Sequence, residues 1–155
     1  MADLQQLRAP VNIAATVVLL AFSLSLIALP FVALAKPAIV VRFLGAFATS
    51  ARTHYAEQLV RLLVGTALIV RAPSMWVPGT FRLIGWLIAI SSVLLLCLPW
   101  QWHHRLGERM RPLFFRYLWL YIAGAFAFGV LLIYGVIAGG EVAWQIVATI
   151  LAVLK

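Results

Sequence analysis

His54, Glu57, Gln58 and Arg61 share one face of a helix if the chain is helical there, since each residue advances about 100° and the four, with Gly65, fall within about 100° of arc. Glu57 precedes Arg61 by one turn, the better order for an ion pair, and His54 precedes Gln58 by the same spacing. An arginine cannot shed its proton, so one placed two turns inside an apolar helix must find a counter-charge or reach water. The simplest chemistry for this cluster is therefore a structural ion pair that ties a bundle together. The same groups could also line a route for a proton, an ion or a small solute, or meet the head group of a lipid or quinone.

Two further histidines, His103 and His104, end a later apolar run. If the two runs are antiparallel, these histidines come to the depth of His54, and two imidazoles facing each other can hold a haem iron, with His54, His103 and His104 as the candidates. No Cys-x-x-Cys-His, His-Glu-x-x-His or other metal-binding spacing occurs, so no metal is expected. Cys97, the only cysteine, excludes an intrachain disulfide and is expected to be a packed, unreactive thiol. Asp3, Glu57, Glu108 and Glu141 are the only acids, and neither a Gly-x-Ser-x-Gly elbow nor a phosphate-cradling loop is present. A non-catalytic protein is expected, with no cofactor as the leading reading.

The elements that position these residues are set by composition. Of 155 residues 65% are hydrophobic and 10% charged, against roughly 25% charged in soluble domains that must cover a wet surface. Lipid is the solvent this composition suits, and an all-α polytopic transmembrane helix bundle, a single integral membrane domain over residues 1–155, is the expected fold. The net charge of +8 does not imply nucleic acid, because Lys and Arg gather at the ends of apolar runs rather than along a phosphate-tracking stripe. Anionic lipid head groups at the basic loops are the expected partners.

About four spans are predicted. Ile13 to Ala35 is uncharged and long enough for a hydrocarbon core of roughly 30 Å. Ala33-Leu34-Ala35 ahead of Lys36 resembles a signal-peptide cleavage site, but the apolar run exceeds the usual core of about 7 to 15 residues, so a retained span is expected. Residues 38–48, around Arg42, are too short to cross and read as an amphipathic segment at the head groups. The second span is expected over 55–77, the third over 81–102 with Trp100 and Trp102 at an interface, and the fourth over 112–138 with Pro112 in its first turn. Residues 141–155, after Gly139-Gly140, form an apolar terminal helix too short to span, with Glu141, Gln145 and Thr149 in a polar stripe.

Small residues permit close helix approach along Ala14, Ala21, Ser25 and Ala28 on the first span, along Gly85, Ala89 and Ser92 on the third, and at Ala125/Gly129 and Gly135/Gly139 on the fourth. Four spans place Lys36, Arg42, Arg52, Arg105, Arg109, Arg111 and Arg116 on one side, and Arg8, Arg71, Arg82 and Lys155 on the other. Positive charge favours the cytoplasmic side, so both termini are expected outside, in a bacterial cytoplasmic (inner) membrane. The expected role is helix association, as an accessory or assembly subunit of a membrane complex or as a homo-oligomer. A small oligomeric transporter or channel using the His54 to Arg61 face is the alternative, and a haem- or quinone-binding subunit a lesser one.

Overall fold

The computed structural model describes residues 2–45 and 50–139, and over these it is helical, with no strand among the described residues. The order is α1 (Ala2–Ala35), α2 (Pro37–Gly45), α3 (Ala51–Arg71), a 3₁₀ turn (Ala72–Ser74), α4 (Pro78–Cys97), α5 (Trp100–Arg116) and α6 (Leu118–Ala138). The expected terminal helix 141–155, with its polar stripe, lies outside the described residues, as do residues 46–48 of the amphipathic segment.

Among the described residues three helices are long and apolar enough to cross a membrane: Arg8–Ala35 within α1, α4 and α6. Within them, hydroxyls bond back to carbonyls of their own helix, as apolar surroundings require. Thr16 Oγ1 donates to the Asn12 carbonyl at 2.8 Å, Ser23 Oγ to Leu19 at 2.6 Å and Ser92 Oγ to Ile88 at 2.7 Å. The second expected span, 55–77, corresponds to no such helix: α3 is as long as α6, 21 residues each, but carries Arg52, Glu57, Arg61 and Arg71.

Several expected boundaries are corrected. The second helix starts before residue 55 because Ser50 caps it: Ser50 Oγ accepts from the Thr53 N–H at 3.2 Å, and Thr53 Oγ1 accepts from the Ser50 N–H at 3.0 Å. It ends at Arg71 rather than residue 77, where the Pro73-containing turn takes over. The third does not reach Trp102. Pro99 disfavours helical backbone at the residue before it, and Leu98 is extended (φ −86°, ψ 141°), so α4 stops at Cys97. The fourth does not begin at Pro112. That proline lies inside α5, a separate amphipathic helix, and α6 starts after a break at Tyr117. Cys97 is exposed rather than packed.

Two antiparallel pairs make the bundle, α3 with α4 and α1 with α6, joined along α1 and α3. The α3–α4 approach is set by glycine: a Cβ on Gly65 would lie 2.9 Å from the Ala89 nitrogen, and one on Gly85 2.9 Å from the Gly65 carbonyl oxygen. In the α1–α6 pair a Cβ on Gly129 would meet the Ser23 carbonyl at 2.9 Å. Phe81, Leu19, Leu68, Leu132 and Val136, all nearly inaccessible, fill the core at the end where α1 and α4 begin and α3 and α6 finish. At the opposite end Ala33, Val40 and Ile122 form a small second cluster. That end also carries α2, α5 and the basic residues Lys36, Arg42, Arg52, Arg105, Arg109 and Arg116.

Candidate functional site

Between the two clusters α1, α3 and α6 border a half-open cavity of about 810 Å³. Phe22, Leu26 and Leu29 of α1, Val60 and Val64 of α3, and Ile122, Ala125 and Phe128 of α6 make most of its wall, with Phe43 of α2 and Ile88 of α4 completing it. Polar groups enter from three helices, with Tyr121 of α6 among them. Thr53, Glu57 and Arg61 of α3 stack at successive turns, and Ser25 of α1 joins them. The cavity stops against the main core, where Val64 is shared and Phe22, Ile88 and Phe128 pack on the buried residues.

Glu57 and Arg61 form an ion pair, Oε1 to Nη1, at 3.8 Å. The side chain of Glu57 is 18% exposed and that of Arg61 43%, so the acid is the more enclosed partner. Glu57 Oε2 lies 4.0 Å from His103 Nε2 of α5, and neither Glu57 Oε2 nor Arg61 Nε has a hydrogen-bond partner although both are shielded from solvent. A 3.8 Å separation exceeds hydrogen-bond length, so the pair is loose and keeps capacity on both members. Burial holds the His103 imidazole below its ordinary pKa; Glu57 opposes this, while His54 and Arg61 add to it.

The four polar residues expected to share a face are divided between two environments. His54 is wholly buried and its Nε2 meets the Leu95 carbonyl of α4 at 3.1 Å. Gln58, wholly buried, lies between His54 and Gly65 on the stripe that meets α4, and its amide nitrogen and oxygen are both without partners. Glu57 and Arg61 sit toward the side that borders the cavity.

The His54 and His103 rings lie in contact, centroids 5.0 Å apart and tilted by 51°. A porphyrin plane does not fit between rings this close, and one nitrogen of His54 is already committed to Leu95. The lesser haem alternative, His54 with His103, would need the two rings to separate. His104 packs against Trp100 on α5, ring centroids 5.9 Å apart.

Among the expected packing seams, Gly85, Ala89 and Ser92 are buried, with Gly85 and Ala89 in the α3–α4 contact. Gly129 is buried against α1, Ala125 lines the cavity, Gly135 lies against Phe81 and Met75, and Gly139 against the Ser74 carbonyl. On α1 the seam is displaced. Ala14, Ala21, Ser25 and Ala28 are exposed, while Ala15, Thr16, Leu19 and Ser23 turn inward.

One buried charged group was not anticipated. Arg71, 2% exposed, closes α3 by donating from Nη1 to Ser74 Oγ at 2.7 Å, and Ser74 Oγ donates to the Arg71 carbonyl at 3.1 Å. Ser74 three residues on is the sequence signal that was there to find, because a hydroxyl at that spacing can bond back to the helix end. No family model, curated protein or solved structure matches this chain.

Proposed function

We propose that the chain is a non-catalytic integral membrane protein that binds a membrane-soluble amphiphile between α1, α3 and α6. The observation that carries this reading is the cavity: about 810 Å³ with mostly apolar walls and the Glu57–Arg61 pair on one side. Ligand pockets generally hold about 300–1,000 Å³ and combine apolar walls with a few polar groups that fix orientation. In this reading α3 is a fourth span. Its Leu59 and Leu63 are more than half exposed and suit lipid, while His54 and Gln58 are buried against α4 and Glu57 and Arg61 border the cavity. At about 1.5 Å per residue its length matches a hydrocarbon core.

The basic end is assigned to the cytoplasm, which puts the amino terminus outside, in a bacterial inner membrane. At that end α5 lies along the surface. Trp102, Leu106, Met110 and Leu113 make an exposed apolar arc, bordered by Arg105, Arg109 and Arg116, the layout of a helix seated at head-group level among anionic lipids.

Native mass spectrometry and lipid extraction after purification in a mild detergent test the binding. The wild-type chain should retain a bound amphiphile through detergent exchange, and Ala125→Trp, which fills the cavity, should lose it with little change in Tm. Equal retention by both proteins, or none by either, rejects the reading.

Association with another membrane helix is a second role, favoured by the exposed small-residue line Ala14, Ala21, Ser25 and Ala28 on α1. An Ala21→Cys chain in a Cys97→Ser background should crosslink to itself or to a partner in membranes; a persistent monomer counts against it.

A further inference from the structure

The cavity defines the kind of head group as well as the apolar tail. Its polar side offers a negative and a positive charge side by side. Glu57 Oε1 and Arg61 Nη1 stand 3.8 Å apart, farther than a hydrogen bond, and the two side chains are 18% and 43% exposed; the unpartnered Glu57 Oε2 and Arg61 Nε are the atoms closed to solvent. A purely anionic head would meet repulsion from Glu57, and a purely cationic one repulsion from Arg61. A neutral head would leave both charges with only each other across a distance longer than a hydrogen bond.

Depth on α3 agrees with a head group. Glu57 lies about two turns below the Ser50 cap and is level with α5, since His103 of that helix is 4.0 Å away. Trp100 and Trp102 of α5 mark the same level, where amphipathic indoles favour the boundary between head groups and acyl chains. Phe22, Leu26, Val64 and Phe128 continue the cavity from there into the apolar interior, so a tail has a path downward.

We propose that the amphiphile is a zwitterionic phospholipid whose head carries a primary ammonium next to its phosphate, the ammonium donating to Glu57 and the phosphate accepting from Arg61. This rests on the cavity reading above. Of the two zwitterionic heads only the primary ammonium can donate to the carboxylate, since a quaternary nitrogen of equal charge has no N–H; a glycerol head can donate from its hydroxyls but brings no positive charge to Glu57. Charge-assisted hydrogen bonds of this type are the strong ones.

The test compares ethanolamine, choline and glycerol phospholipids, and a diacylglycerol, all with identical acyl chains, exchanged onto the full chain in detergent and counted by native mass spectrometry. Wild type should retain the ethanolamine lipid about tenfold over the choline lipid, the ratio expected from one charge-assisted hydrogen bond. Glu57→Gln should bring that ratio to about one while the chain still retains lipid, and Arg61→Gln should raise the share of diacylglycerol. The wild-type ratio needs no variant, so the test survives a misfolded mutant. Equal retention of ethanolamine and choline lipids, or preference for the glycerol lipid, overturns the head-group assignment; if Ala125→Trp still empties the cavity, binding itself stands. No lipid retained above detergent background overturns both.

Discussion

Replacing Gly85 by Ala and Gly124 by Ala should have opposite effects, although both add one methyl group to a glycine in an apolar helix. At Gly85 the new Cβ would sit 2.9 Å from the Gly65 carbonyl oxygen and 3.0 Å from the Ile69 nitrogen. Both are backbone atoms of α3, so no side-chain rotation relieves the contact and the helices must separate. A gap of about 0.5 to 1 Å forfeits about a quarter to a half of each dispersion contact it opens, and it opens along the α3–α4 contact. Overpacking of this kind costs about 1–3 kcal/mol, and the better helix propensity of Ala returns about 1 kcal/mol. Gly85→Ala should therefore be destabilising by up to about 2 kcal/mol. At Gly124 the Cβ meets nothing within 4 Å, so only the propensity gain remains and the variant should equal or exceed wild type. Reversible unfolding in mixed micelles, followed by circular dichroism, reads both. A Gly85→Ala chain as stable as Gly124→Ala would mean that α3 and α4 do not approach as closely as described.

Two other predictions concern the polar residues at the basic end. The Glu57–Arg61 pair should couple weakly, by no more than about 1 kcal/mol in a cycle of Glu57→Gln and Arg61→Met, because Arg61 is 43% exposed and the separation is 3.8 Å. Coupling of about 3 kcal/mol would indicate a desolvated pair instead. Stability should fall as the pH drops below about 6.5, the ordinary histidine value. Burial lowers the His103 pKa in the fold, so between the folded and unfolded values the unfolded chain binds more protons. The contribution of His103 is present above the unfolded value and lost as the pH falls through the folded one. His103→Gln should flatten part of the decline in Tm, and an unchanged pH profile would refute the assignment.

The long uninterrupted run Ile13 to Ala35 was legible in the sequence because nothing in it competes with a spanning helix, and its observed helix covers it entirely. The stretch 98–117 was not. Trp100 and Trp102 suit the end of a span as well as the start of a surface helix, and Pro112 suits a first turn as well as the interior of α5. What decides between them is Pro99, whose steric effect on Leu98 ends α4 earlier than hydropathy alone indicates. The apolar arc Trp102, Leu106, Met110 and Leu113 then recurs at helical spacing, a pattern obscured when those residues are assigned to two different spans.

Angular counting placed His54, Glu57, Gln58 and Arg61 together, and they are together on α3, yet their surroundings differ because a face of about 100° is wide enough to touch two neighbours. The edge toward Gly65 meets α4, and there His54 finds the Leu95 carbonyl. The other edge borders a space that α1 and α6 leave open, and there Glu57 and Arg61 keep unfilled hydrogen-bonding capacity. Which neighbour lies beside which edge is a tertiary fact, absent from the spacing. The same reason displaced the seam on α1. Small residues allow a close approach without requiring one, and in lipid an exposed Ala14 or Ala21 leaves no polar group unsatisfied, so size alone does not select the packed face. Ser23 and Thr16 are selected by a different rule: their hydroxyls are satisfied within the helix, at Leu19 and Asn12, which lets them be buried beside Leu19 at no hydrogen-bonding cost. Self-satisfaction is not the only route into a contact: Gln58, with neither amide atom partnered, is also buried against α4, whereas Glu57 and Arg61 on the neighbouring edge border the cavity.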